Sequence, residues 1–181
     1  MTIRMHIIGA PGSGCTTLGN AFAAARGFAF FDTDDFYFDV KHSVKREAER
    51  RNADLFNAIR QVENSVVSGS VDGWNSDLDP LFTHIVFLRL DNATRMQRLY
   101  QREVDRYGAE ALLPGQPEHE RHAFFMEWAS HYEDGTREGR NLARHEAWLE
   151  KQSAPLLRLD SAAPVETLVQ KVTEFVKPYA R

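Results

Sequence analysis

Apolar positions along the chain fall into short runs separated by longer stretches with helical spacing. Residues 3–8 form a mostly apolar run that suits a buried strand. From 16 to 26 the residues are small and helix-tolerant, with Leu18, Phe22 and Ala25 at helical spacing. An aromatic-rich strand follows at 28–31, then a highly charged helical stretch from about 44 to 64. Residues 65–68 begin a third strand, closed by Gly69, and 84–90 read as the clearest strand. A helix over 92–107 places Met96, Leu99, Tyr100 and Val104 on an apolar stripe. Two glycines and two prolines break the pattern over 108–118. Helical stretches at 119–132 and 138–151, a strand at 156–159 and a closing helix at 164–176 complete the chain. Five strands alternating with helices predict an α/β fold, a parallel sheet covered on both faces. Ligands on such sheets sit at the carboxyl ends of the strands.

Composition narrows this picture. A chain of 181 residues that is 43% hydrophobic suffices for one domain, residues 1–181, with a full core. The net charge of −4 argues against a nucleic-acid partner held by phosphate contacts. No apolar run approaches the roughly 18 residues of a membrane span, and the chain opens directly on a core strand rather than a leader. The single cysteine, Cys15, forbids an internal disulfide and fits a reducing compartment. The expectation is a cytoplasmic protein, monomer or homodimer, without membrane or nucleic-acid partners.

Candidate chemistry centres on residues 9–17, Gly-Ala-Pro-Gly-Ser-Gly-Cys-Thr-Thr. A phosphate-binding P-loop reads G-x-x-x-x-G-K-[ST]. Gly9, Gly14 and Thr16 fit that pattern, and Cys15 stands where the lysine belongs. Strand, glycine loop and helix come in the required order. Glycines let backbone N–H groups turn inward around an anion, and the helix N-terminus adds partial positive charge. Candidate nucleotide-binding residues are therefore Gly9, Ala10, Gly12, Ser13, Gly14, Cys15, Thr16 and Thr17, with the Thr16 hydroxyl a ligand for Mg²⁺. A P-loop lysine follows charge through phosphoryl transfer, which Cys15 does not. Three readings stand for Cys15: a neutral loop residue with another cation in the gap, a degenerate site, or a redox-sensitive thiol. A thiol at a helix N-terminus tends to a lowered pKa.

Other groups fall at the same sheet edge. After the second strand come Asp32, Thr33, Asp34 and Asp35. Asp32 suits Mg²⁺ and Asp34 an acceptor hydroxyl; the alternative is that Asp32 or Asp34 caps the next helix, with Asp35 also a candidate cap. The run 68–74, Ser-Gly-Ser-Val-Asp-Gly-Trp, lets backbone approach a ligand and offers Trp74 as a pocket wall or a core residue. Arg95, Arg98, Arg102 and Arg106 repeat at helical spacing as one basic ridge, and Arg137, Arg140 and Arg144 make a second. Both ridges suit a migrating phosphate, against the alternative of solvated helix faces.

On these motifs the chain resembles the small-molecule kinases of the P-loop superfamily, the adenylate kinase and shikimate kinase group, over nearly its whole length. The resemblance implies a three-layer P-loop fold with sheet order 2-3-1-4-5, an acceptor-binding segment at about 35–64 and a lid at about 107–137. The Asp32-Thr33-Asp34 run is similar to the D-x-D of shikimate kinases, whose first Asp assists Mg²⁺ and whose second meets the acceptor. Arg98 and Arg102 match in position arginines that adenylate kinases place around adenine and phosphates. The chain departs from the group at Cys15 and where shikimate kinases carry Gly-Gly-Gly after the third strand. The implied activity is transfer of the γ-phosphoryl of ATP, with Mg²⁺, to a small-molecule or nucleotide acceptor. Asp34, Arg98, Arg102, Arg140 and Arg144 are its candidate catalytic residues. The alternative is a non-catalytic nucleotide-binding or sensor protein with a degenerate loop.

Overall fold

The computed structural model describes residues 2–40, 44–74 and 76–177. Its central sheet is built from β1 (Arg4–Gly9), β2 (Ala29–Asp32), β5 (Ser65–Ser68), β6 (His84–Arg89) and β7 (Leu156–Asp160). All neighbours pair in parallel, in the order β2-β5-β1-β6-β7. Counted within this sheet the order is 2-3-1-4-5, as the resemblance implied.

Strand alternation sends side chains to two cores. Met5, Ile7, Val86 and Leu88 pack under α1 (Cys15–Arg26) and α7 (Val165–Val176), against Leu18, Phe22, Leu168 and Val172. Ile8, Val67, Ile85 and Phe87 face the other way, against Leu55 and Ile59 of α3 (Ala48–Arg60) and Leu149 of α6 (Leu142–Leu149). The result is three layers with β1 at the centre.

Local structure departs from the sequence pattern in several places. The helix expected from 44 starts at Ala48; Val44–Lys45 is instead strand β4, antiparallel to β3 (Phe38–Val40). β-branched Val40 and Val44 favour strand. Arg46 ties the hairpin to α3 by ion pairs to Asp39 at 2.9 Å and Asp54 at 3.2 Å. Residues 41–43 of the expected acceptor segment lie outside the described residues. A 3-10 turn, Ser76–Leu81, precedes β6 unannounced by any periodicity. The expected helix at 138–151 begins only at Leu142, because Gly139 has φ of 99° and Asn141 caps the helix, accepting from Arg144 N–H at 2.8 Å.

Helix α4 (Asn92–Tyr107) buries a different face from the one expected: Arg95, Leu99 and Glu103 are buried and Tyr100 is 51% exposed. Arg95 is inside because α5 (His119–Ser130) and its C-terminal turn supply acceptors for it. Among the described residues no helix is long and apolar enough to cross a membrane.

A polar group also sits at the sheet's centre. His6 is fully buried on β1, stacked on Phe82 at 4.6 Å and edge-on to Trp148 at 5.2 Å. Its Nε2 donates to the Gly69 carbonyl at 2.7 Å. Burial pushes its pKa down to about 4, from 6.5 when solvated. Between these values the unfolded chain binds the extra proton and the folded chain does not. Stability contributed at neutral pH is therefore lost as pH falls through that window, by about 3 kcal/mol in total. Urea denaturation from pH 7 to pH 4 checks this, with His6→Gln, which keeps a donor and does not titrate, expected to flatten that part of the slope. An identical slope in the variant would remove His6 as its source.

Candidate functional site

At the end of β1 the chain turns through Ala10–Gly14 and enters α1. Gly12 has φ of 84°, and a Cβ there would lie 2.8 Å from the Arg95 carbonyl oxygen, so only glycine fits. Gly14, also at positive φ, precedes α1; no side chain caps this helix and no acidic residue occupies its first turn. Its first N–H groups and positive dipole end therefore face an open cavity, the arrangement that receives phosphate.

Cys15 does not take the place of a cation. It is partly buried and packs against the core under α1, with Sγ 3.4 Å from Ser13 Oγ. Burial pushes its thiol up to about 11, against the opposing effects of the Ser13 hydrogen bond and the Arg140 charge. The lowered pKa expected of a helix N-terminus is not what the structure gives, because desolvation outweighs the dipole.

The carboxylates of the second strand end divide their work. Asp32 caps the short helix α2 (Thr33–Tyr37), accepting from Asp34 N–H at 2.9 Å. Its other oxygen accepts from Thr16 Oγ1 at 3.1 Å, and Ser68 Oγ donates to that hydroxyl at 3.5 Å. Burial raises the Asp32 pKa, offset in part by the Asp34 amide. Asp35, considered above as a cap, lies within the first turn of α2; the cap is Asp32. The Asp34 side chain lines the cavity. A carboxylate and two hydroxyls form an oxygen donor set suited to Mg²⁺ that keeps several waters.

After β5 the chain bends at Gly69 (φ 107°), where a Cβ would collide with Thr33 Oγ1. Ser70, Asp72, Gly73 and Trp74 then line the same cavity. Ser70 Oγ donates to Asp72 and lies 3.1 Å from His145 Nε2.

The two basic ridges do not survive as ridges. Arg95 is fully buried and bonds the Pro11 carbonyl at 2.9 Å and Glu133 at 2.6 Å. Arg98 donates from both Nη atoms to the Ser161 carbonyl at 3.3 Å. Arg102 and Arg106 share Glu103, at 3.3 and 3.6 Å. Arg137 turns away to Glu127, and Arg144 pairs with Asp72 at 2.5 Å. Arg140 lies over Trp128, 5.4 Å from its centroid, and has no carboxylate partner among the described residues.

At the opposite end of the cavity Arg51 rests on Tyr37 and Trp74, 4.8 and 4.7 Å from the ring centroids. Its Nε is buried without a hydrogen-bond partner. Lys45 lies 5.9 Å from Tyr37. Neither cation has a carboxylate partner among the described residues. Sequence reasoning treated both as part of a charged helix; only the hairpin and the turn after β5, which deliver Lys45 and Trp74, reveal the cluster. His145, Ser70, Asp72 and Tyr132 were missed as well, and only the strand-end position of Ser70 and Asp72 offered a signal.

The glycine loop, Asp32, Asp34, Ser70, Asp72, Trp74, Lys45, Arg51, Arg98, Arg102, Arg106, Arg140 and Arg144 all line one cavity of about 1350 Å³. Pockets for single ligands run to about 300–1,000 Å³, so this one has room for two. Eight Lys and Arg and five Asp and Glu side chains line it, a local excess of three positive charges in a chain of net charge −4. Such a site attracts polyanions.

No protein-family model matches the chain. It is 35% identical over 176 residues to the uncharacterized protein YqaC of Bacillus subtilis (strain 168), covering 97% of this chain and 98% of that one. Among solved structures it is similar to a shikimate kinase from Bacteroides thetaiotaomicron, with TM-score 0.62, 18% identity and coverage of 98% and 99% of the two chains. A shikimate kinase from Acinetobacter baumannii in complex with shikimate gives TM-score 0.59 at 14% identity, covering 99% and 96%. A gluconokinase from Sinorhizobium meliloti 1021 gives 0.53 at 16%, covering 99% and 98%. The fold is thus that of the shikimate kinase-like P-loop kinases.

The raised thiol pKa has a direct readout. A shift from 9.0 to about 11 lowers the thiolate fraction at pH 8 about 100-fold. The thiolate of a higher-pKa thiol is about tenfold more nucleophilic, so alkylation of Cys15 by iodoacetamide is expected to be slower by about tenfold or more in native protein than in urea. Native and denatured rates within about threefold of each other would restore the reactive-thiol reading.

Proposed function

We propose that this chain, which belongs to the same family as Bacillus subtilis YqaC, is an ATP- and Mg²⁺-dependent small-molecule kinase. The observation that carries the reading is that a phosphate-ready helix N-terminus, the Asp34 carboxylate and an excess of cations share one cavity sized for two ligands. Backbone amides from Ala10 to Thr17 would cradle the nucleotide phosphates. Thr16 and Asp32 would hold Mg²⁺, directly or through water. The ion, when bound, supplies charge neutralisation at the phosphates.

In the transfer itself the acceptor hydroxyl oxygen bonds to the γ-phosphorus as the bond to the ADP oxygen breaks. Asp34 takes the hydroxyl proton and passes it to solvent. Arg98, Arg102, Arg140 and Arg144 balance negative charge on the moving phosphoryl group, on a lid formed by 107–137 and its flanks. Arg140 is the candidate replacement for the lysine. It has no competing carboxylate among the described residues, and its charge is felt at Cys15.

The acceptor half of the cavity favours a hydroxy compound that carries an anionic group. Arg51 and Lys45 both lie by the Tyr37 ring without a carboxylate partner among the described residues, and an acceptor carboxylate or phosphate would pair with them. The neighbours named as shikimate kinase and gluconokinase make shikimate and gluconate the first compounds to screen. The second reading, nucleotide binding without transfer, draws on Cys15 alone.

Calorimetry with ATP, with and without Mg²⁺, tests the nucleotide half, and binding strengthened by Mg²⁺ is expected. Arg140→Ala should weaken Mg·ATP about tenfold, a loss of about 1.4 kcal/mol. The double change Cys15→Lys/Arg140→Ala should recover most of that loss; an Arg140→Ala protein that binds normally would remove Arg140 as the substitute cation. Asp34→Asn should lower turnover of a responding acceptor by about 10²–10⁴ with ATP affinity kept. Undiminished turnover would remove Asp34 from its role, and no ATP binding at millimolar concentration would sink the kinase reading.

A further inference from the structure

A buried polar chain runs beneath the cavity, through residues to which the proposed chemistry assigns no role. Tyr132, at the C-terminal side of α5, is 2% exposed, and its hydroxyl lies 2.7 Å from His145 Nδ1. His145, on α6, is fully buried, and its Nε2 lies 3.1 Å from Ser70 Oγ and 3.5 Å from Asp72 Oδ1. Ser70 donates to Asp72 Oδ1, and Arg144 Nε meets Asp72 Oδ2 at 2.5 Å. A second Arg144 nitrogen donates to the Asp72 carbonyl at 3.2 Å.

One assignment of protons satisfies Tyr132, His145 and Ser70, while Asp72 Oδ2 meets Arg144 as an ion pair without a hydrogen bond. Ser70 spends its hydroxyl hydrogen on Asp72, so its lone pair must accept from His145 Nε2–H. Nδ1 is then the acceptor, and Tyr132 O–H donates to it. Burial raises the Tyr132 pKa, which keeps that donor in place. The chain therefore points one way, from Tyr132 through His145 and Ser70 to Asp72, and ends on the cation of Arg144. Buried hydrogen-bonded chains of this kind, closed by an ion pair, restrict the geometry of their members.

One end of this chain lines the site, and the other reaches its glycine loop through Arg95. Arg144 is 45% exposed and lines the cavity, while its Asp72 partner is 2% exposed. Gly73 leaves room for the guanidinium, since a Cβ there would collide with Arg144 Nη2. At the other end the Tyr132 ring lies 5.3 Å under Arg95, which holds the Pro11 carbonyl of the glycine loop. Tyr132 also fixes the start of α6, its carbonyl accepting from Leu142 N–H at 2.8 Å.

We propose that His145 is a positioning residue of the transfer site, which through Ser70 and Asp72 fixes the Arg144 guanidinium at the cavity and through Tyr132 ties it to the glycine loop. His145 touches neither nucleotide nor acceptor. The link to phosphoryl transfer rests on the kinase reading; the fixation of Arg144 does not.

Two measurements on the full chain separate these. The first needs no nucleotide: the Nε–H resonance of Arg144 in ¹⁵N-labelled protein. It is expected as a resolved, slowly exchanging signal in the wild type. His145→Phe should merge it with the exposed arginines. Tyr132→Phe, which deletes one hydroxyl, should speed its exchange at least threefold, and His145→Gln, which keeps a donor and an acceptor, should retain part of it. An unchanged Arg144 signal in both His145→Phe and Tyr132→Phe overturns the proposal, and the milder variants decide it if His145→Phe does not fold.

The second measurement is a double-mutant cycle on Mg·ATP affinity. His145→Phe is expected to weaken binding about fivefold in the native background and by less than twofold in Arg144→Ala. Equal losses in both backgrounds would make His145 merely structural and overturn its positioning role. A wild type that binds no Mg·ATP defeats the kinase reading and the transfer role together, while the resonance still decides whether His145 holds Arg144.

Discussion

Arg95 is the bond on which the arrangement of the site depends. Its guanidinium is wholly inside the protein and reaches three partners: the Pro11 carbonyl in the glycine loop, the Ala129 carbonyl at the end of α5, and Glu133. A charge placed there is tolerated only because its donors are matched. Removing one partner of a buried pair typically costs about 3–5 kcal/mol, and the partial exposure of Glu133 puts this pair toward the lower figure. With it in place, the glycine loop and the segment that carries Arg140 and Arg144 keep one spatial relation. Glycine at position 12 is part of the same contact, since the Arg95 backbone leaves no room for a side chain there.

Around this anchor the electrostatics of the cavity are redistributed rather than lost. The loop itself is neutral at Cys15, whose partly buried thiol packs against the core and holds its proton. Positive charge comes from outside the loop instead, on α4, on the turn before α6 and on α6 itself. Most of these cations are partly committed, Arg98 to a carbonyl, Arg102 and Arg106 to Glu103, Arg144 to Asp72. Arg140 and Arg51 lack such a carboxylate among the described residues, one near each half of the cavity.

How much of this was legible in the sequence follows from the range of the interactions. The glycine loop was legible because its pattern rests on backbone spacing over eight residues, and the strands because each declares itself as a short apolar run, while their order came from the family resemblance alone. Asp32 and Asp34 were legible as strand-end carboxylates, although the capping by Asp32 and its contact to Thr16 turn out to coexist. Arg95 was misplaced on an exposed ridge because its partner Glu133 is 38 residues away, and helical spacing carries no information about it. His145 was invisible for the same reason, lying 75 residues from Ser70. The β3–β4 hairpin escaped because two strand residues next to a charged helix leave no period to count.

On the role proposed for Arg140, a phosphate-binding cation placed on the turn before α6 rather than in the glycine loop would change what governs nucleotide exchange. A lysine in the loop is held by the same backbone that holds the phosphates, and stays with them. Arg140 instead hangs on Trp128, by one stacking contact and the turn's Glu138 carbonyl bonded to the indole N–H at 2.9 Å. The grip on the nucleotide would then be a property of tertiary docking, adjustable through the Trp128 indole of α5. In a family with this arrangement, selection on product release would leave its mark around the indole and not in the glycine loop.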